Sequence, residues 1–201
     1  METQHSLPHF QLAVSAETLP LFTTVLQSGI EIKYRAGISI ALFLNDLPGF
    51  TADYVGDVVQ TIFLNGTAVD DLTTLLEGET PILALSAAMP GLAGAIFRKN
   101  SFHSALRTTV TSGNKTINRQ ITTTVTLKLF NTIARERGIE LLKRGVSIKS
   151  GHLLDFFKNR SGIIKKISEV RTQENTINTT TFLDRLTQSK KVNIRIVKSH
   201  G

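Results

Sequence analysis

The chain has 201 residues, 41% hydrophobic and 19% charged, a composition that belongs to a folded globular protein rather than a disordered one. It contains no cysteine, which excludes disulfides, thiolate metal sites, iron–sulfur ligation and cysteine nucleophiles. The net charge of +7 is unevenly spread: residues 1–96 hold two basic residues against ten acidic ones, net −8, and residues 97–201 hold 21 against 6, net +15. Such an asymmetry serves either two solvated faces that attract each other or a basic half that meets nucleic acid, a membrane surface or an acidic protein.

The opening "METQHSLPHFQLAVSAETLP" has no basic stretch followed by an apolar one, so no signal peptide is expected and the expected location is cytoplasmic. His5 and His9, separated by Pro8, read as frayed terminal chain. "IEIKYRAG" reads as a strand, and "SIALFLNDL" as a helix stopped before Pro48-Gly49. "VVQTIFL" is a strand, and Asn65-Gly66 supplies the positive-φ pair of a tight hairpin turn. "DDLTTLL" is a connector, "EGET" a turn and "PILALS" a closing strand.

From Thr80 to Phe97 there are 18 uncharged residues, near the lower bound for a membrane span, but Pro81, Pro90, Gly91 and Gly94 argue against a spanning helix. Either a loop packs here on its own domain, or an apolar tongue docks in a partner's groove; docking is the preferred expectation. It assigns partner contact to Ala87, Ala88, Met89, Pro90, Gly91, Leu92 and Phe97, with Met89 suited to an imperfect pocket.

Residues 98–122 are rich in Thr, Ser and Asn, contain the turn signal "SGN", and mark the change of charge sign, so a linker is expected there. Beyond it, "TVTLKLF" alternates as a strand and "NTIARERG" makes a short helical turn stopped by Gly138. "IELLKRG" is taken as a strand, with continuation of the helix as the alternative. "SGHLLDFFKNR" suits an amphipathic helix and "KKVNIRIVK" a half-buried strand. Leu19–Ile40 and Leu127–Ile148 align without a gap, with seven identical pairs, which points to a duplicated domain. The expected architecture is α+β, with an acidic domain at 10–97, a linker at 98–122 and a basic domain at 123–199.

The run "IFLNGTAVDDLTTLLEGETPILAL", with a strand ending in Asn-Gly and an acidic Gly turn leading to a last strand, resembles the ubiquitin-like β-grasp family. The closest likeness is to its sulfur-carrier branch, the small subunit of molybdopterin synthase and the thiamine sulfur carrier; "VTLKLFNTIARERG" is similar to that branch's opening strand and turn. The likeness covers about Leu19 to Gly94 and both ends of the second copy, where "RTQENTINTT" stands in place of the Asn-Gly turn. The resemblance implies two β-grasp-like units in tandem and a carrier chemistry at a C-terminal Gly-Gly. Here Gly201 is terminal but His200 precedes it, and Gly91 and Gly94 lie mid-chain.

Catalytic signals are sparse. His5, His9, His103, His152 and His200 show no metal-ligand spacing, and Asp70-Asp71 read as solvated turn residues. Ser86 lacks the flanking glycines of a nucleophile elbow, and no phosphate-binding glycine loop occurs. The expectation is a non-enzymatic protein with no cofactor and no metal, docking as an accessory or assembly subunit of a larger complex. One alternative is a sulfur carrier using Gly201. Another is nucleic-acid binding by the basic half, with anion contacts at Lys143, Arg144, Lys165, Lys166, Lys190 and Lys191; Lys158, Arg160, Arg185, Arg195 and Lys198 could also track phosphates, though Arg195 and Lys198 sit on the polar side of a strand as solvated residues would.

Overall fold

The structure, a computed structural model, describes residues 7–88 and 122–199. In chain order the elements are β1 (His9–Val14), a 3-10 helix (Leu19–Gln27), β2 (Ile30–Arg35), α1 (Ile40–Asn45), α2 (Ala52–Asp57), β3 (Thr61–Leu64), β4 (Thr67–Ala68), β5 (Ile82–Ser86), β6 (Thr122–Phe130) and α3 (Asn131–Arg144). There follow β7 (Val146–Lys149), α4 (Ser150–Asn159), α5 (Ser161–Ile164), β8 (Ile167–Arg171), β9 (Thr176–Ile177), α6 (Thr179–Gln188) and β10 (Lys191–Lys198). The fold is α+β with both parallel and antiparallel strand pairs. The chain divides into two compact units, one of Glu31–Gly138 and one of Met1–Ile30 with Ile139–Gly201.

In the Glu31–Gly138 unit the strand order is β4-β3-β5-β6-β2. β3 runs antiparallel to β5, and β5 parallel to β6. Alternate residues Ile62, Leu64, Leu83, Leu85, Val125, Leu127 and Leu129 are buried, as period-two strands require when one face is covered. The expected hairpin turn forms: Asn65 and Gly66 both take positive φ, 51° and 84°. The Asn65 side chain also accepts from Ile82 N at 2.9 Å, tying the turn to β5. Ser39 and Thr51 cap α1 and α2 by accepting from the N–H groups of Leu42 and Tyr54.

In the other unit the order is β7-β10-β1-β8-β9, with β1 parallel to β10 and antiparallel to β8. Phe10, Leu12, Val14, Val192, Ile194 and Ile196 are buried on one face. Phe10 meets Phe182 of α6 edge-on at 5.0 Å, and Phe182 meets Phe157 of α4 at 5.9 Å. Phe22 of the 3-10 helix reaches Phe156 at 5.4 Å, closing an aromatic core. The N-terminal stretch is therefore not frayed from His9 onward: "HFQLAV" is an interior strand, started just after Pro8, which has no N–H to offer a ladder.

The two units share a pattern. Each has a short outer strand (β4, β9), its hairpin partner (β3, β8), a central parallel pair (β5 with β6, β1 with β10) and a last strand (β2, β7). The threading differs, because β1 joins strands from the far end of the chain while β6 joins strands that precede it. Of the stretch expected as a linker, 98–122, only Thr122 is described, and it begins β6.

Two local expectations are corrected. Asn131–Arg144 is one continuous helix through Gly138, so "IELLKRG" is not a strand. Buried Ile133-Ala134 recur as Leu141-Leu142 along one broad helical face, and that burial outweighs a mid-helix glycine penalty of about 1 kcal/mol. The aligned segments also fold differently: Leu19–Phe22 lie in a 3-10 helix, whereas Leu127–Phe130 end a strand. Seven shared residue types fixed no common backbone there, because strand or helix at these positions is set by the neighbours each segment packs on.

Candidate functional site

The Glu31–Gly138 sheet buries one face fully; on the other, Thr61 and Ser86 are buried, Phe63, Ala84, Lys128 and Phe130 are half-buried and Ile82 is exposed. The register places Phe63 beside Ala84 and Ala84 beside Lys128, with Ser86 beside Phe130 and Ile82 beside Thr126. These residues alternate with the buried leucines and so share the outer face. Phe63, Ile82, Ala84 and Phe130 form the apolar floor of a groove of about 660 Å³, with Lys128 in it and Asn65 and Asn131 at its ends. Ile82 is 41% exposed, an unusual state for a β-branched aliphatic residue in mid-sheet.

One end of the groove is built by the β5 exit and the start of α3. Asn131, at φ 52°, donates from Nδ2 to the Ala88 carbonyl at 2.7 Å and to Ser86 Oγ at 3.1 Å. The Ser86 hydroxyl in turn donates to the Ala88 carbonyl at 2.9 Å. Ser86 thus serves as a tie that holds the chain after β5 against α3. Lys128 lines the groove and has no acidic partner among the described residues.

A polar cluster supports α3. Tyr54, 8% exposed, donates its phenol to Glu136 Oε2 at 2.8 Å, and the Arg137 guanidinium lies 3.7 Å from the Tyr54 ring centre. Gly49 sits against Arg137 at φ 78°, a conformation that favours glycine, and a Cβ there would come within 3.0 Å of Nη1, so the Arg137 side chain would have to shift. Burial pushes the Tyr54 phenol up to about 12, helped by the Glu136 hydrogen bond and charge and opposed by Arg137. Tyr34 is pushed up to about 12 as well, by burial first and then by its bond to Asp46. Thr73 holds the Asp71 carboxyl below the usual range, donating from its hydroxyl at 2.7 Å and its N–H at 2.8 Å, so Asp71 is a turn-forming residue.

Of the residues expected to dock, Ala87 is half-buried and Ala88 is exposed and lines the groove. Met89, Pro90, Gly91, Leu92 and Phe97 lie outside the described residues, as does Gly201. Lys143, Arg144, Lys165, Lys166 and Lys190 are exposed, and Lys191 is half-buried on β10. Lys143 pairs with Glu140 at 2.9 Å. Sequence reasoning missed Phe63, Ile82, Lys128 and Phe130. The signal was present: "TIFL", "ILALS" and "LKLF" place apolar residues on both faces of strands with one covered side.

His9 Nδ1 lies 2.9 Å from Asn193 Oδ1, and His152 Nδ1 is buried without a partner. No group of three potential metal ligands occurs among the described residues. None of the described helices is long and apolar enough to cross a membrane. The chain matches no protein-family model, no curated protein and no solved structure.

Proposed function

We propose that this chain is a non-enzymatic protein of ubiquitin-like β-grasp build that acts by docking on a partner protein as an accessory or assembly subunit. The pattern common to both units supports the build: a short outer strand, its hairpin partner, a central parallel pair, a last strand (β2, β7), and helices that lie in sequence between that last strand and the hairpin. The position of β6 and β10, each following the strands it joins, sets the threading apart from a simple tandem.

The single observation that carries the docking role is the apolar groove over β3, β5 and β6. On the outer face Ile82 is exposed and Phe63, Ala84 and Phe130 are half-buried, an apolar lining of the kind that marks interaction sites. Its occupant is an apolar segment of the partner that carries one carboxylate, placed to meet the ammonium of Lys128. Ala88, one of the residues expected from sequence to dock, lines this groove.

A photo-crosslinking residue in place of Ile82, introduced in the native host, tests this. The expected product is an adduct with another protein, mapped to an apolar peptide with an Asp or Glu, and lost when Lys128→Glu is added. Adducts confined to this chain, or an adduct indifferent to Lys128→Glu, would overturn it.

A further inference from the structure

The second unit presents a different open face. Opposite its buried strand residues, the register lays out Lys149 beside Lys191, Ser147 beside Asn193 beside His9, and Arg195 beside Gln11 beside Arg171. With neighbouring strands about 4.8 Å apart and like-facing residues about 6.6 Å apart, these rows form a grid of cations spaced by amides and hydroxyls. The last row is Val197 beside Ala13 beside Glu169, so one carboxylate lies within the grid, and no aromatic ring other than the His9 imidazole lies in the rows. Arg195 donates from Nε to the Lys143 carbonyl at 2.8 Å, which brings the α3 C-terminus, with Lys143 and Arg144, to the edge of this grid. Gly145, at φ 100°, allows that approach, since a Cβ there would come within 3.2 Å of Asn193 Oδ1.

Charge is concentrated in this unit. Residues 1–30 and 139–201 hold 13 basic and seven acidic residues, net +6, while 31–138 hold ten and nine, net +1. Within the grid Glu169 is bound to Arg171 at 2.9 Å, and at its edge Glu140 is bound to Lys143 at 2.9 Å, which leaves Lys149 and Arg195 as the cations set apart from both carboxylates.

We infer that this sheet face binds double-stranded RNA along its backbone, an activity separate from the docking groove. Cations at strand spacing suit phosphates, and the interleaved Gln11, Ser147 and Asn193 offer the donors and acceptors that a ribose 2′-hydroxyl requires. The lack of stacking rings argues against single strands, which are gripped through base–aromatic contacts. Recognition is of shape and backbone, without sequence preference, and falls steeply with salt because bound counterions are released.

Anisotropy titrations of the full chain with a labelled RNA duplex of about 20 base pairs, comparable to the span of a backbone-reading module, test this at several salt concentrations. Lys149→Gln with Arg195→Gln is expected to weaken binding at least tenfold and to flatten the salt slope by about 2, one unit per lost phosphate contact. Lys149→Gln alone, which spares both the Arg195–Lys143 bond and the Arg171–Glu169 pair, is expected to weaken binding and to flatten the salt slope by about 1, so a folding defect in the first variant would not hide the outcome. Lys165→Gln with Lys166→Gln, on the turn after α5, is expected to bind as the parent does. Equal loss in that control, unchanged binding in both grid variants, or equal affinity for the matched DNA duplex or for anionic vesicles would overturn the assignment.

Discussion

Tyr54→Phe removes one oxygen from the cluster that fastens α2 to the first half of α3. The ring stays, and with it the contact to Arg137. What is lost is a hydrogen bond from a buried phenol to an exposed carboxylate. Bonds to charged groups contribute about 1.5–3 kcal/mol, and the lower end applies because water can replace the phenol at exposed Glu136. The expected cost is about 1.5 kcal/mol, or about 3–6 °C in Tm for a chain of this length. Glu136→Gln tests the pairing through a double-mutant cycle, with an expected coupling of about 1 kcal/mol. The chain has two tyrosines and no tryptophan, and both tyrosines lie in the Glu31–Gly138 unit, so tyrosine fluorescence follows that unit. The pH dependence has a definite sign. The folded phenol is held near 12 against its ordinary 10.0, so its contribution is complete below pH 10 and is lost as pH rises toward 12. The wild type should lose stability faster than Tyr54→Phe across that window. A cost below about 0.3 kcal/mol, the scatter expected of independent sites, would refute the assigned bond, as would parallel alkaline limbs.

Because Tyr34 is also held near 12, absorbance titration of the native protein should show no tyrosinate step near pH 10, and full denaturation should restore one; a native step near 10 would count against both bonds. Phe182→Ala, at a fully buried ring flanked by Phe10 and Phe157, should cost about 3–5 kcal/mol by denaturant unfolding, while Phe182→Leu should cost clearly less. Gly66→Val should destabilise the hairpin by about 1–2 kcal/mol, since a β-branched residue cannot hold φ 84° without strain, and Gly56→Ala, with open space around it, should be neutral or stabilising in the same assay.

Local chemistry was legible where the backbone is governed by adjacent residues. Asn65-Gly66 demanded positive φ and took it. "SGHLLDFFKNR" carried its amphipathic period into α4, and "KKVNIRIVK" its alternation into β10. Ser86 and Asp71 each take part in local hydrogen bonds, to the Ala88 carbonyl and from Thr73. The groove was only half legible: the charge-free run drew attention to Ala87 and Ala88, but the floor beside them comes from β3, β5 and β6, far apart in sequence.

The residues in order thus determined turns, strand faces, one long apolar run and the charge contrast, because each depends on near neighbours or on composition alone. Only the tertiary structure decided which strands lie side by side. Parallel pairs such as β1 with β10 and β5 with β6 leave no local mark, since either partner reads as the same alternating strand whichever neighbour it joins. That choice puts Phe63, Ala84 and Lys128 into one groove and Lys149, Arg195 and Arg171 onto one sheet face, and both proposed activities rest on it.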